Sequence, residues 1–142
     1  ANLGFNLITK YPVSDFICID EPELRLAASN NVDDIEHIVS KQITKKIKCN
    51  NITITRGRNG SFSYMKNKIL KTPALVSDKV IDTIGAGDVF FVIASLLNSI
   101  KSDQLVTNVI GNIAGALKVD ILGHSKSISR SNFYAVLNHV LK

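Results

Sequence analysis

Asp82-Thr83-Ile84-Gly85-Ala86-Gly87-Asp88 runs straight into Val89-Phe90-Phe91-Val92-Ile93-Ala94, and this stretch decides the fold. Two glycines around one small residue let the backbone turn tightly and come close to a ligand. The apolar run behind them has Ser95, Asn98 and Ser99 as its polar positions before Ile100. It predicts a helix from Asp88 to about Ile100 that is apolar on nearly every side and therefore buried on all faces. The first N–H groups of such a helix have no intrahelical acceptor and sit at its positive end. That makes the turn an anion hole suited to a phosphoryl group. Asp88, at its mouth, is placed to take a proton from an attacking hydroxyl, an effect worth roughly 10²–10⁴ in rate. As a bare Gly-x-Gly-Asp, the same residues read as a tight turn in which Asp88 compensates the helix dipole.

Upstream of this block, Phe16-Ile17-Cys18-Ile19 is a short apolar run stopped by acidic residues and Pro22, and reads as a buried strand. Pro22 suits the first turn of a helix through Ala28. Asn30 and Asn31 make a turn. Asp33 and Asp34 then open a helix carrying Ile35, Ile38, Val39, Gln42, Ile43 and Ile47 near a 3.6 period, with Lys45, Lys46 and Lys48 at its negative end. Ile52-Thr53-Ile54-Thr55 is β-branched throughout and reads as a second strand. Ser61–Met65 and Lys68–Thr72, joined at Lys66-Asn67, have the pattern of a hairpin. Downstream, Gln104–Val119 predicts a helix with Gly111 and Gly115 four residues apart, and Ser131–Leu141 a last one, capped by Ser129 or Ser131. A pair of glycines at that spacing serves a close helix contact as readily as a ligand. Strands alternating with helices give an α/β layered fold with a mostly parallel sheet. The 142 residues read as a single α/β unit, although two or three core strands are few for a covered parallel sheet.

Composition sets the outer limits. A chain of 15.5 kDa, 45% hydrophobic and 20% charged, is globular rather than disordered or fibrous. Cys18 and Cys49 form no framework, and no Cys/His cluster suggests zinc, so a reducing, cytoplasmic setting is the simpler expectation. The longest apolar stretch is too short to cross a bilayer, which argues against a membrane partner. Ala1 opens the chain without Met or a secretory signal, which fits a processed or excised piece. The net charge of +5 is concentrated. Between His37 and Ser77 there is no carboxylate, but there are Lys41, Lys45, Lys46, Lys48, Arg56, Arg58, Lys66, Lys68 and Lys71. Such a field attracts phosphate-bearing ligands, yet a solvated lysine-rich face is the plainer account. Without interleaved aromatics or a recognised motif, nucleic acid is not the expected partner. The scattered His37, His124 and His139 read as surface or packing residues.

The block Asp82-Thr83-Ile84-Gly85-Ala86-Gly87-Asp88 resembles, without a departure, the Asp-Thr-x-Gly-Ala-Gly-Asp signature of the PfkB (ribokinase-like) carbohydrate kinases. Three further stretches resemble that family in the right order. Asp20-Glu21-Pro22-Glu23 is similar to its Asn-x-x-Glu motif, with Asp20 where the family usually has Asn. Thr55-Arg56-Gly57-Arg58-Asn59-Gly60 is similar to its Thr-x-Gly-x-x-Gly turn, and Asn112-Ile113-Ala114-Gly115-Ala116 to its small-residue helix beside the adenine. The resemblance spans about residues 16–128. Within the family, residues 20–27 and 111–119 look most like kinase modules joined to a nucleotidylyltransferase, as in heptose activation.

The resemblance implies a ribokinase-like (Rossmann-like) three-layer fold, of which this chain is the C-terminal, nucleotide-binding part, since members are about twice as long. It implies phosphoryl transfer from ATP to a sugar hydroxyl, with Asp88 as base and the amides of Gly85, Ala86 and Gly87 holding the phosphoryl charge. Thr55, Gly57, Gly60, Asn112 and Gly115 would meet the nucleotide. Glu23 and Asp20 would act on Mg²⁺. Asp82 and Thr83, with the segment Gly123–Ser127, resemble the family's monovalent-cation (K⁺) site, in which Ser127 would take part. The implied partners are a sugar or sugar phosphate, ATP, an N-terminal kinase half and a nucleotidylyltransferase domain. The alternative is a catalytically inert nucleotide-binding or interaction module that keeps the kinase fold.

Overall fold

The computed structural model describes residues 5–75 and 80–141. These fall into two compact units, Ala1–Arg56 with Ser61–Lys71, and Gly57–Gly60 with Thr72–Lys142. Each unit has its own packing.

The first unit is built on a sheet of β1 (Ile17–Asp20), β2 (Asn51–Thr55), β3 (Ser61–Met65) and β4 (Lys68–Thr72), in that order across the sheet. The parallel pairing expected from the sequence is present in β1–β2, and β2–β3 is antiparallel, so the sheet is mixed. The hairpin expected at Lys66-Asn67 supplies the antiparallel strands. Both turn residues have positive φ, 49° and 66°, the backbone that a two-residue hairpin needs to match strand twist. The registers Ile17↔Ile52↔Tyr64 and Ile19↔Ile54↔Phe62 put six apolar side chains on one face, where all are buried. On the other face Cys18, Thr53 and Ser63 align, and the Thr53 and Ser63 hydroxyls are 2.9 Å apart.

Helix α1 (Glu21–Ala28) follows β1 without a break. Asp20 is its N-cap, Oδ1 accepting from the Glu23 N–H at 2.7 Å, and Pro22 sits in its first turn. The helix expected from Asp34 to Lys48 is a composite: α2 (Ile35–His37), π-helical turns over Ile38–Ile43, and α3 (Thr44–Lys46). The wider π turn keeps Ile38 and Ile43, five residues apart, in the same core, and neither is exposed. Ile47 then leaves the helix in an extended conformation and is buried as well.

The second unit is helical, with α4 (Ala86–Ser99), α5 (Gln104–Val119) and α6 (Arg130–Val140). Asp103 caps α5 by accepting from the Leu105 and Val106 N–H groups, and Ser129 caps α6, as the sequence suggests. Helix α5 buries Gln104, Thr107, Asn108, Gly111, Ala114 and Lys118, a stripe at three- and four-residue spacing. Helices α4 and α5 pack on each other. At Gly111 an added Cβ would lie 2.7 Å from the Phe90 ring, so this glycine serves a helix contact. The burial expected all round α4 is not found. Phe90 and Ala94 are buried, while Phe91, Val92 and Leu96 are exposed. Composition made this helix apolar, but burial needs a neighbour on each side, and α5 covers one. No helix among the described residues is long and apolar enough to cross a membrane.

Candidate functional site

The loop Ile81–Gly87 is fixed at both ends. The Val119 carbonyl, at the end of α5, accepts from the N–H groups of Ile81 (2.8 Å) and Asp82 (3.0 Å). Asp82 then joins two loops, with Oδ1 accepting from the Ile84 N–H at 2.9 Å and Oδ2 from the Gly123 N–H at 2.8 Å. These backbone donors, with Lys118 and His124 nearby, hold its carboxyl below the usual aspartate range against a smaller opposing effect of desolvation. Thr83 turns its carbonyl back on the Ala86 N–H at 3.3 Å.

Gly85 takes φ +80° as the N-cap of α4, a left-handed conformation that favours glycine. No side chain caps this helix end, so its first-turn N–H groups are not bridged by the usual hydroxyl or carboxylate. Beside Gly87 the space is open, since an added Cβ there would meet nothing within 4 Å. Asp88 stands exposed in the same turn. The structure therefore brings Gly85, Gly87 and Asp88 together at one helix end. The Ala86 N–H also belongs to that end but bends back toward Thr83.

Of the residues expected to meet nucleotide, Asn112 donates from Nδ2 to the Pro73 carbonyl at 3.0 Å. Gly115 faces the Ala86 carbonyl, 3.8 Å from where its Cβ would stand, so this part of α5 lies against the start of α4. Gly60, at φ +79°, approaches the backbone of residues 72–74 so closely that an added Cβ would collide with the Thr72 oxygen and stand 2.6 Å from Pro73 and Ala74. Its first duty is therefore in the chain path. Gly57 is also left-handed, at φ +52°, with open space around it. Thr55 ends β2, its hydroxyl 3.5 Å from the Ile19 carbonyl of β1.

At the carboxyl end of β1, Asp20 is exposed and Glu23 part-buried. Asp20 spends one oxygen on the helix cap and so does the work an Asn side-chain oxygen does at that position. Glu21 is occupied differently, accepting from both Arg25 and Arg56. Mg²⁺ takes one or two protein oxygens and keeps its other places for water and phosphate, so one exposed and one part-buried carboxylate are of the type it uses. Among the described residues no group of three His, Cys, Asp or Glu side chains gathers to hold a metal.

At Asp82, Thr83 and the Gly123–Ser127 segment an alkali ion would have to share oxygens with donors already in place. Such an ion needs several oxygens turned to one point. Each Asp82 oxygen accepts from one backbone amide and keeps a second lone pair, while the Gly123 carbonyl accepts from the Lys118 ammonium at 2.7 Å. Ser127 is exposed. The sequence reading passed over Lys118, which sits in the last turn of α5 where a lysine ordinarily complements the dipole. The signal that could have found it is its place on the Gly111–Ala114 stripe.

The family model described as pfkB family carbohydrate kinase matches residues 7–120. The chain belongs to this family. Its fold is that of ribokinase from Arabidopsis thaliana, solved with ribose and ATP, at 22% identity and a TM-score of 0.74 over 87% of this chain and 40% of that one. Phosphofructokinase-2 from Escherichia coli, solved with potassium, is similar at 15% identity and a TM-score of 0.75 over 90% of this chain and 41% of that one. Other structures of this likeness are nucleoside and adenosine kinases. A curated protein of Methanocaldococcus jannaschii described as a probable helicase is 26% identical over 112 residues, 78% of this chain and 20% of that protein. This pfkB chain thus spans about two fifths of the solved kinases it resembles and a smaller part of the curated relative.

Proposed function

We propose that this chain is the nucleotide- and phosphoryl-handling part of a cytoplasmic carbohydrate kinase, acting with an N-terminal half that supplies the sugar or sugar-phosphate pocket. The observation that carries the reading is the start of α4, where left-handed Gly85 opens a helix that no side chain caps, with open space at Gly87 and Asp88 exposed beside it. A nucleotidylyltransferase domain is the further partner that residues 20–27 and 111–119 suggest.

In this reading Asp88 accepts the proton of the attacking hydroxyl as its oxygen bonds to the γ-phosphorus and the bond to ADP breaks. The N–H groups of Gly85 and Gly87 would stabilise the negative charge on the transferring group, joined by that of Ala86 once it turns from the Thr83 carbonyl, on a loop that Asp82 and Val119 hold. Phosphoryl transfer asks for little covalent chemistry from protein, so position and charge decide the rate. Asp20 and Glu23 would hold Mg²⁺, which neutralises phosphate charge when bound. Thr55, Gly57, Gly60, Asn112 and Gly115 are the residues that would meet the nucleotide, as the family resemblance implies. A sugar acceptor follows from the family description, and a nucleoside acceptor uses the same hydroxyl chemistry.

Two measurements test this. Calorimetric titration of the chain with Mg·ATP should show saturable binding, abolished or weakened by Gly87→Val, because the valine would stand in the open space that a phosphoryl group needs. In the longest natural polypeptide containing this sequence, Asp88→Asn should lower turnover by roughly 10²–10⁴ while leaving ATP binding within a few-fold. Unchanged turnover removes Asp88 as base. The inert-module reading draws on the chain's short span of its relatives, and turnover dependent on Asp88 rejects it.

A further inference from the structure

Lys118 is only 5% exposed, on the α5 stripe that packs against α4. Its Nζ donates to the Gly123 carbonyl at 2.7 Å. Its stem runs beneath the anion-hole loop, since a Cβ added to Gly85 would stand 3.2 Å from Lys118 Cε and 3.8 Å from Nζ. Gly123 also donates its N–H to Asp82 Oδ2. One ammonium, one carboxylate and two loops therefore form a closed set within the second unit: Asp82 ties the loops by their amides, and Lys118 ties them by a carbonyl and by packing.

We propose that the Lys118 ammonium is the built-in cation of this loop pair, so that the loop carrying Gly85 is held in order without a bound alkali ion. The charge argument is direct. An alkali ion on the Gly123 oxygen would lie within a few ångströms of an ammonium that already occupies that oxygen, and two like charges that close repel strongly in a partly buried site. A buried lysine head is costly to keep unless its protons are satisfied, and the Gly123 carbonyl answers one of them. The ammonium also favours the ionised form of Asp82, the group that both loop amides bind. Lys118 is thus a positioning residue: it touches no reacting atom and acts through Gly85 and Gly123. This inference rests on the phosphoryl-transfer reading only in that the stiffened loop is the one that would receive the phosphoryl group.

The test is a comparison of cations on the chain itself. Thermal midpoints of the wild type in potassium chloride and in tetramethylammonium chloride at matched ionic strength should coincide, and thallium(I) NMR should show no saturable site. Lys118→Met should lose midpoint in tetramethylammonium and recover in potassium, because an ion can then take the Gly123 carbonyl together with the second lone pairs of the Asp82 carboxylate in place of the ammonium. Its affinity for Mg·ATP without potassium should fall about tenfold, as for loss of other groups that orient a site from behind, and Lys118→Arg should retain most of the wild-type behaviour. A saturable thallium(I) site in the wild type, or a midpoint that rises with potassium, overturns the proposal. So does a folded Lys118→Met that loses stability without recovering in potassium, since a helix-end tether alone would do that. If Lys118→Met does not fold, the two wild-type measurements decide. Absence of Mg·ATP binding in every cation would sink the kinase reading and leave the cation result standing.

Discussion

Glu21 opens α1 and holds two guanidinium groups at once, Oε1 accepting from Arg25 at 2.8 Å and Oε2 from Arg56 at 3.1 Å. Burial pushes its carboxyl up, but the two arginines outweigh burial and leave it below the usual glutamate range. A carboxylate depressed in the folded state stabilises the protein above its unfolded pKa, near 4.5. That stability fades as pH falls through the folded value, where both states become protonated. Glu21→Gln should therefore lower stability by about 1 kcal/mol at neutral pH. In urea melts the two proteins should converge as the pH drops below the ordinary carboxylate range, and an equal gap at every pH would contradict the assignment. The thiols give a second prediction. Burial, then the Glu23 charge, pushes Cys18 up to about 12, and burial raises Cys49. Both should resist alkylation at neutral pH in the native protein and react on unfolding. At this scale the sequence displayed the motif residues but not their bonds. Asp82 as a loop tie and Gly60 as a close backbone approach depend on partners 41 and 12 residues away in the chain.

At the scale of elements, the α4–α5 contact is the one most sensitive to volume. A methyl at Gly111 would press on Phe90 at 2.7 to 3.0 Å, and overpacking of this kind costs about 1–3 kcal/mol. Alanine gains about 1 kcal/mol of helix propensity over glycine, so Gly111→Ala should be destabilising by less than Gly111→Val. Phe90→Leu should recover part of either loss, which a double-mutant cycle would detect as a coupling. Additive losses would mean that the two side chains do not share the space. The strands were legible because short apolar or β-branched runs bounded by turn and charged residues mark them, β2 and β3 being buried on both faces, and α1 and α6 because Pro22 and Ser129 mark their starts locally. The π turns in residues 38–43 were not legible: Ile38, Val39, Ile43 and Ile47 fit an α period closely enough, and only packing selects the wider turn. Helix α4 begins at Ala86 and not at Asp88, because left-handed Gly85 rather than a capping side chain starts it.

Across the whole molecule, charge and apolar surface are distributed unevenly. The carboxylate-free stretch is less free than its composition implies, since Arg56 pairs with Glu21 and Lys71 with Glu36, and Lys46 donates to the Ala27 carbonyl. This fits the solvated-face account better than a nucleic-acid groove. The apolar surface is the more consequential feature. Val92 and Leu96 on α4 and Ile100 at its C-cap lie four residues apart and are 53%, 61% and 73% exposed, and Val92 and Leu96 form a stripe opposite the Phe90–Ala94 stripe that meets α5. Exposed apolar stripes of this kind promote association between molecules. Replacing Val92 and Leu96 together by Gln should therefore weaken self-association, read by sedimentation velocity. It should change the thermal stability of the chain little, because exposed positions without a special contact shift folding by no more than about 0.5 kcal/mol each. Gln also exceeds Val in helix propensity, so a small rise in midpoint is the expected sign. If the double substitution instead unfolds the chain, Val92 and Leu96 are covered within the folded molecule and α4 is buried on both sides.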